Sequence, residues 1–377
     1  MSWTHRERVL AALNHEEADR VPIDLGSTFV SGIIIAAYDR LKEYLGLTHE
    51  TEIQSESQRL AQPDESVLER FGVDAQFLRF DGYETERKID HNTWFDEWGI
   101  TWQRAPGGQF MPIDGPFLDQ EPDIEKLESW EWPDPDNPAR YRGLKEAAAA
   151  QRAESDRFII LQASTLAACQ AQWQRGFAIW LKNLYRHPEY AARQMDLITD
   201  TAVGIIHRQL DECGPNVDAV LVGDDMGIQT GPMYSPAIYR ELVKPRHARM
   251  VQAIKEHDVK VIFHSCGAVH DFVGDIIDIG ADVLNPVQVS AKDMDPVTLK
   301  EEFGDRIAFW GGVDTQRLLP FGTAEEVAAE TRRIIDILGK GGGYVLNSVH
   351  CLEPEVPPEN IVALFDVGVE HRYAKPA

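Results

Sequence analysis

Cysteine is scarce in this sequence of 377 residues, which contains only four: Cys169, Cys213, Cys266 and Cys351. A small scaffold stapled by disulfides carries its cysteines at a much higher density, so that class of protein is excluded. A buried free cysteine behaves as a small hydrophobe, and we expect Cys169 and Cys213 to pack in the core. The sequence therefore predicts a protein with reduced thiols.

Long apolar runs and basic residues are also in short supply. No stretch approaches the roughly 20 apolar residues of a membrane helix, and the N-terminal residues lack the apolar core of a signal peptide. Acidic residues outnumber basic residues by 62 to 37, which gives a net charge of -25. This charge argues against a nucleic acid or an anionic membrane surface as a partner. We therefore expect a soluble cytoplasmic protein that acts on a small molecule.

Short apolar runs that alternate with amphipathic helical patterns dominate the chain. Continuous apolar runs are typical of buried parallel strands. Eight of them alternating with helices predict an α/β protein of the (β/α)₈ barrel type, formed as one domain by residues 1–377. A doubly wound sheet is the alternative, but no Gly-rich fingerprint follows the first run. The eight predicted strands are Val21–Leu25, Ala75–Phe80, Phe158–Ala163, Ala219–Val222, Val259–Phe263, Val283–Asn285, Ile307–Trp310 and Tyr344–Leu346.

Two segments fall outside this alternation. Thr4–His15 is predicted to form an N-terminal helix, because Thr4 and Glu7 have the spacing of a capping box. Thr93–Gly115 alternates aromatic and polar residues and contains Pro-Gly-Gly, which predicts a hairpin insertion.

Polar residues follow most of the predicted strands, at the end of the barrel where active sites of this fold lie. We predict acid–base roles for Asp81, Asp225 and His350, and substrate contacts for Ser164, Asp224, Gln229, Asn285 and Asn347. The adjacent acids at 224 and 225 have an alternative interpretation as a helix cap or an Asx turn. His350 is either a pocket acid–base group or a support for a metal ligand.

A possible metal site follows from the spacing of three residues. His264 and Cys266 are two positions apart, which places both side chains on one side of an extended segment. Cys351 follows another apolar run, and all three side chains can meet if both runs are strands of one barrel. One imidazole and two thiolates suit a Zn²⁺ that keeps one coordination position open. The alternative is that the two cysteines are simply buried.

Six segments of the sequence carry motifs of a known protein superfamily: Arg6–Asp24, Gly223–Pro236, His264–Gly267, Gly280–Pro286, Phe309–Asp314 and Val356–Ile361. These motifs resemble those of the uroporphyrinogen decarboxylase superfamily. The resemblance runs nearly from end to end and implies a (β/α)₈ barrel with its pocket in the C-terminal mouth.

The first strand separates two branches of this superfamily. Members that decarboxylate uroporphyrinogen carry an arginine-rich block after the first strand, whereas residues 21–32 here contain no cation. The side chains of a polycarboxylate would remain unpaired there, at a high energetic cost. The sequence is similar instead to the zinc methyltransferases of corrinoid systems, whose metal is held by a His-x-Cys pair and a distant cysteine near a Pro-x-Glu-Asn stretch. His264, Cys266 and Cys351 match that pattern, and Pro358-Glu-Asn360 follows.

The resemblance thus implies Zn²⁺, a small-molecule methyl donor or acceptor, and cobalamin or another corrinoid. The corrinoid must be carried by a separate partner protein, because the sequence lacks an Asp-x-His-x-x-Gly motif. Dimers are common in the superfamily, so a homodimer is also an expectation. Two alternatives stay open: a metal-free decarboxylase that uses Asp81, Asp225 and His350, and a binding barrel without catalysis.

Overall fold

A curled sheet of parallel strands forms the centre of the protein in a computed structural model, which describes residues 3–80, 87–106, 108–118, 120–162 and 167–373. Seven strands are hydrogen-bonded in sequence order. An eighth segment closes the barrel, since Ile23 pairs in parallel with Leu346 and accepts a hydrogen bond of 2.7 Å from the Asp74 amide. Seven of the eight predicted strands are thus regular strands, and the first, Val21–Leu25, is reduced to a single bridge at Ile23. The seven regular ones are Ala75–Phe77, Phe158–Gln162, Ala219–Gly223, Lys260–His264, Val283–Asn285, Ala308–Trp310 and Tyr344–Val345.

Helices surround this sheet, as an α/β barrel requires. Capping residues define several starts, such as Thr323, which forms a capping box with Glu326. A helical stretch that begins at Pro236 and ends at Lys255 is interrupted by a π-helical turn at Tyr239–Val243, next to Pro245, which has no amide hydrogen to donate. The principal helices are Ile35–Leu45, Glu65–Arg70, Ile124–Ser129, Leu144–Glu154, Ala167–Arg175, Phe177–Arg186, Pro188–Cys213, Lys244–Lys255, His270–Asp278, Pro296–Phe303, Leu318–Phe321, Ala324–Leu338 and Pro358–Glu370.

The N-terminal helix His5–Leu13 closes the bottom of the barrel. Its start is capped as predicted, because the Thr4 side chain and the Glu7 side chain bond to each other's backbone amides. Val9 and Leu13 of this helix pack with the inward-facing side chains of the strands, up to the buried Trp310. The barrel interior is thus filled from its N-terminal end, and active sites of this fold lie at the opposite, C-terminal mouth.

A buried ionic cluster joins the N-terminal helix to the second strand. The Asp74 carboxylate is fully buried and accepts hydrogen bonds from Arg8 at 2.6 Å, Arg20 at 2.7 Å and His5 at 2.7 Å. It also accepts one from the Ile23 amide at 2.8 Å. This cluster lies at the N-terminal ends of the strands, where residues of this fold serve stability.

Small antiparallel sheets flank the barrel. The segment predicted as a hairpin at 93–115 lies within a four-stranded sheet that begins earlier, at Arg87. The first strand of this four-stranded sheet, Arg87–Asp90, was not predicted, because it is exposed at all four positions and shows no apolar alternation. Its strands are Arg87–Asp90, Thr93–Phe95, Thr101–Arg104 and Phe110–Asp114, and a second sheet contains Ile33–Ile34, Glu52–Ser55 and Leu60–Gln62. Within the described ranges, no helix is both long and apolar enough to span a membrane.

Candidate metal centre at the barrel mouth

Strand pairing places His264 beside Asn285 at the mouth of the barrel. The imidazole Nδ1 donates a hydrogen bond of 2.7 Å to the Asn285 side-chain oxygen, and the Asn285 amide nitrogen donates to the Trp310 carbonyl at 3.3 Å. This second bond fixes the orientation of the amide. In the neutral imidazole the hydrogen therefore resides on Nδ1, and Nε2 presents a lone pair to the mouth. Such a partner on the remote nitrogen is typical of histidines that bind metals.

Two further donor atoms lie close to that lone pair. The Cys266 sulfur is 3.6 Å from His264 Nε2. His350 joins them, and the ligand atoms of all three residues lie within 4.8 Å of one another. Donors bound to one Zn²⁺ at about 2.0–2.3 Å are separated by roughly 3–4 Å. The arrangement is therefore close to the geometry of a metal site and requires only small side-chain movements.

Electrostatics at this cluster suits a cation. Burial, reinforced by the neighbouring His264, lowers the pKa of His350 to about 4, so its imidazole is neutral at pH 7 and keeps a lone pair. Burial and the negative charge of Asp225 raise the pKa of Cys266 above its ordinary value. Without a cation the thiol keeps its proton, and a bound divalent ion would reverse this preference.

Cys351 lies beside the cluster, but its sulfur is engaged elsewhere. The buried thiol donates a hydrogen bond of 3.2 Å to the Phe29 carbonyl, and burial raises its pKa to about 12. His350, not Cys351, supplies the third clustered donor atom in this structure. Ligation by Cys351 stays a prediction, and sequence reasoning had given its neighbour His350 an acid–base or supporting role.

The two adjacent acids face different surroundings. Asp224 is buried and accepts hydrogen bonds from the amides of Ala168 at 2.6 Å and Cys169 at 2.7 Å, and it contacts His247 at 2.7 Å. Its oxygens thus hold the start of the helix Ala167–Arg175, and a contact with substrate stays a prediction.

Asp225, by contrast, reaches the candidate metal centre. Its side chain is 46% exposed, and one oxygen lies 3.7 Å from His264 Nε2. The same oxygen accepts a hydrogen bond of 2.9 Å from the Cys266 amide. This carboxylate is therefore placed to bind a metal, a substrate cation or a proton at the mouth.

A chain of glutamine amides supports the loop that carries Cys266. Gln288 accepts a hydrogen bond of 2.6 Å from the Gly267 amide and donates one of 2.5 Å to Gln229, which donates to Gln316 at 2.7 Å. Gly267 has a φ of +88°, and a β-carbon there would lie 2.3 Å from the backbone of Gly227. The loop thus requires a glycine after the cysteine. Contact of Gln229 with substrate stays a prediction.

Some predicted residues lie elsewhere. Asn347 is buried, and its amide nitrogen donates to Asp24 at 3.0 Å. Asp81 and Ser164 lie outside the described residues. Asp24 is not among the predicted site residues, although a carboxylate within the apolar run at 21–25 is a sequence signal for a buried polar contact.

Replacement of Asn285 by alanine is expected to weaken zinc binding by about 10–100-fold, the usual effect of removing such a partner of a metal-bound histidine. The variant frees His264 Nδ1, so the ring can rotate or change tautomer. Competition with a chromophoric chelator measures the affinity. An unchanged dissociation constant would show that Asn285 does not orient a ligand.

Comparison with known proteins identifies the family to which this chain belongs. A model of the uroporphyrinogen decarboxylase (URO-D) family matches residues 107–371, more than half of the chain. The chain belongs to the uroporphyrinogen decarboxylase family. The superfamily predicted from the motifs is thus confirmed.

Curated members of the family show how distant the relationship is. The uroporphyrinogen decarboxylase of Syntrophotalea carbinolica is 30% identical over 198 residues, 51% of this chain and 52% of that protein. That of Alkalilimnicola ehrlichii is 25% identical over 390 residues, 97% of this chain and 94% of that protein. With the first of these, and with several others, the chain matches only about half of the relative's length.

A solved structure extends the comparison over the whole fold. A methyltransferase from Methanosarcina mazei superposes with a TM-score of 0.69, covering 98% of this chain and 99% of that one, at 18% sequence identity. This similarity confirms the predicted barrel fold.

Proposed function

We propose that this protein is a zinc-dependent methyltransferase that moves a methyl group between a small molecule and the cobalt of a separate corrinoid protein. The observation that carries the proposal is the position of His264. Its Nε2 lone pair is directed by Asn285 toward the Cys266 thiol, with a third donor from His350 nearby. An imidazole, a thiol and a second imidazole that converge at the mouth form a donor set of the kind that binds Zn²⁺.

The donor set fits Zn²⁺ because it combines neutral imidazoles with a thiol that a cation would deprotonate. A bound Zn²⁺ would supply a Lewis acid that lowers the pKa of a substrate thiol or polarises an ether oxygen. The methyltransferase from Methanosarcina mazei, which shares the fold over almost its whole length, is in keeping with this chemistry. The methyl donor, acceptor and corrinoid partner are parts of the proposal.

The protein's own residues would then divide the work at the mouth. Asn285 keeps the Nε2 lone pair of His264 available, and the Gln288 side chain holds the Cys266 loop through the Gly267 amide. Asp225, with its side chain partly exposed beside the cluster, would accept the proton that leaves the substrate or orient the substrate's cationic group.

A metal-free decarboxylase is the second candidate, because the curated relatives bear that name. In it, Asp225, His350 and Asp81 would act as acid–base groups. The segment after the first strand opposes a polycarboxylate substrate. It contains no cation, and its Thr28 and Ser31 hydroxyls bond to each other at 2.8 Å.

The two candidates differ in their response to a chelator. We expect zinc-loaded protein to methylate free cob(I)alamin, or to demethylate methylcobalamin, in the presence of a panel of methoxylated compounds and thiols. The absorbance of the corrinoid reports the transfer. Stripped protein should be inactive and should recover when zinc is returned. Carbon dioxide release from a carboxylic acid that persists in stripped protein, without methyl transfer, would contradict the proposal and favour the decarboxylase.

The third ligand can be identified by comparing two adjacent substitutions. The structure places His350 in the cluster, so H350A is expected to weaken zinc binding by about 100-fold or more, as loss of a direct ligand exceeds the effect of a supporting group. C351A should change it by less than about tenfold, because its sulfur bonds to Phe29. The reverse order of effects would assign ligation to Cys351, as the sequence motif predicts.

A further inference from the structure

A buried carboxyl group at the end of the first strand has no part in the proposed chemistry. The side chain of Asp24 is completely buried, and three donors converge on it. The Trp310 indole donates at 2.8 Å and the Asn347 amide at 3.0 Å to one oxygen, and the Ser27 amide donates at 3.1 Å to the other. An acidic side chain is costly to bury, and these hydrogen bonds offset that cost and fix the carboxyl group in one orientation.

The contacts of Asp24 lead in a few steps to the candidate metal centre. Asn347, which donates to Asp24, accepts a hydrogen bond of 2.6 Å from the Ser348 amide on its side-chain oxygen. The Ser348 hydroxyl in turn donates to the His350 carbonyl at 2.5 Å. This ligand loop, residues 347–351, carries both His350 and Cys351. A continuous set of hydrogen bonds therefore joins the carboxyl of the first strand to the backbone of the candidate ligand.

From these contacts we infer that Asp24 is a positioning residue that fixes the ligand loop, and with it the donor atom that the eighth strand supplies to zinc. The inference rests on the proposed function, since it concerns the same metal site. Asp24 is not a catalytic residue, because it touches neither the clustered donor atoms nor the open mouth. It acts through Asn347, whose amide nitrogen donates at 3.0 Å to Asp24 and at 3.4 Å to the Ser31 carbonyl, so the shorter bond to Asp24 orients the amide.

The substitution D24L tests this role with little change in shape. Leucine has the branched outline of the aspartate side chain but offers no acceptor, so the Trp310, Asn347 and Ser27 donors lose this partner. The Asn347 amide would keep only its longer bond of 3.4 Å to the Ser31 carbonyl and could rotate, and the loop would no longer hold His350 in place. We expect zinc affinity to fall by about 10–100-fold, as for other groups that orient a ligand.

Two further variants separate positioning from stability. N347A breaks the next link and should reproduce the loss of affinity, also if D24L fails to fold. W310F removes another donor to Asp24 but leaves the path to the ligand loop intact, so it should lower the melting temperature and change zinc affinity by less than about threefold. Each protein is stripped, titrated with zinc against a chromophoric chelator, and then loaded with Co²⁺ to record its visible spectrum.

An altered Co²⁺ spectrum in D24L and N347A, with a wild-type spectrum in W310F, is the expected result. Wild-type affinity and spectrum in D24L and N347A would overturn the inference, as would an equal loss of affinity in all three variants. Failure of the wild-type protein to bind zinc would instead overturn the proposed function, and the inference with it.

Discussion

Replacement of Cys266 by alanine is expected to raise the dissociation constant for zinc by about 100-fold or more, beyond the effect of losing a supporting group. The variant removes the only thiol among the three donor atoms that lie within 4.8 Å of one another in the described part of the chain. It leaves two imidazoles and the partly exposed Asp225, a set that lacks the strong zinc–thiolate bond. Metal analysis after exhaustive dialysis, followed by chelator competition, measures the change.

The matched control is Cys213→Ala. Cys213 is fully buried in the core at the end of the helix Pro188–Cys213, and burial raises its pKa to about 12. This variant removes a buried thiol of the same size and should bind zinc as the wild-type protein does, with some loss of stability. Equal zinc content in the two variants and the wild-type protein would show that Cys266 is no ligand.

Replacement of Asp74 by asparagine is expected to destabilise the protein by about 3–5 kcal/mol, the usual effect of removing one partner from a buried ionic cluster. Arg8 and Arg20 are 6% and 7% exposed, so Arg20 would lose its counter-ion, and Arg8 the buried one of its two, where water cannot replace it. Unfolding in urea at pH 7 measures the free energy.

Asp19→Asn is the corresponding control. Asp19 bonds to the same arginine, Arg8, at 2.7 Å, but its side chain is 43% exposed. Its removal should cost about 1 kcal/mol or less, as for other solvated ion pairs. A cost for Asp74→Asn as small as that of the control would show that the buried cluster does not stabilise the closed end of the barrel.

The same cluster predicts a loss of stability in acid. Burial alone would raise the pKa of Asp74, but hydrogen bonds from His5 and the charges of Arg20 and Arg8 outweigh it and lower the pKa. The stabilisation is therefore complete above the unfolded value of about 3.9 and is lost as the pH falls through the lower folded value. Asp74→Asn lacks this dependence, so the difference in unfolding free energy between the two proteins should shrink below pH 4.

Apolar runs were sufficient to predict the barrel, because a buried parallel strand must be apolar on both faces. Arg87–Asp90 carries no such signal, because this strand is exposed and is held by pairing with its neighbour. Apolar runs also give no sign of the π-helical turn at Tyr239–Val243, which lies next to Pro245 and its missing amide hydrogen.

For the site, the spacing of His264 and Cys266 predicted their proximity, since residues two apart on a strand face the same way. The orientation of the third donor could not be predicted, because His350 and Cys351 are adjacent and either side chain can face the cluster. The conformation of the ligand loop decides which of the two faces the cluster. This conformation depends on the hydrogen bond between Asn347 and Asp24, which are more than 300 residues apart in sequence.

An anomalous difference map from a zinc-soaked crystal, recorded at the zinc absorption edge, tests the metal site most directly. We predict one strong peak about 2.0–2.1 Å from His264 Nε2 and about 2.3 Å from Cys266 Sγ, with His350 as the third protein ligand. A crystal of zinc-loaded protein with no peak between His264 and Cys266 would contradict the proposed zinc site.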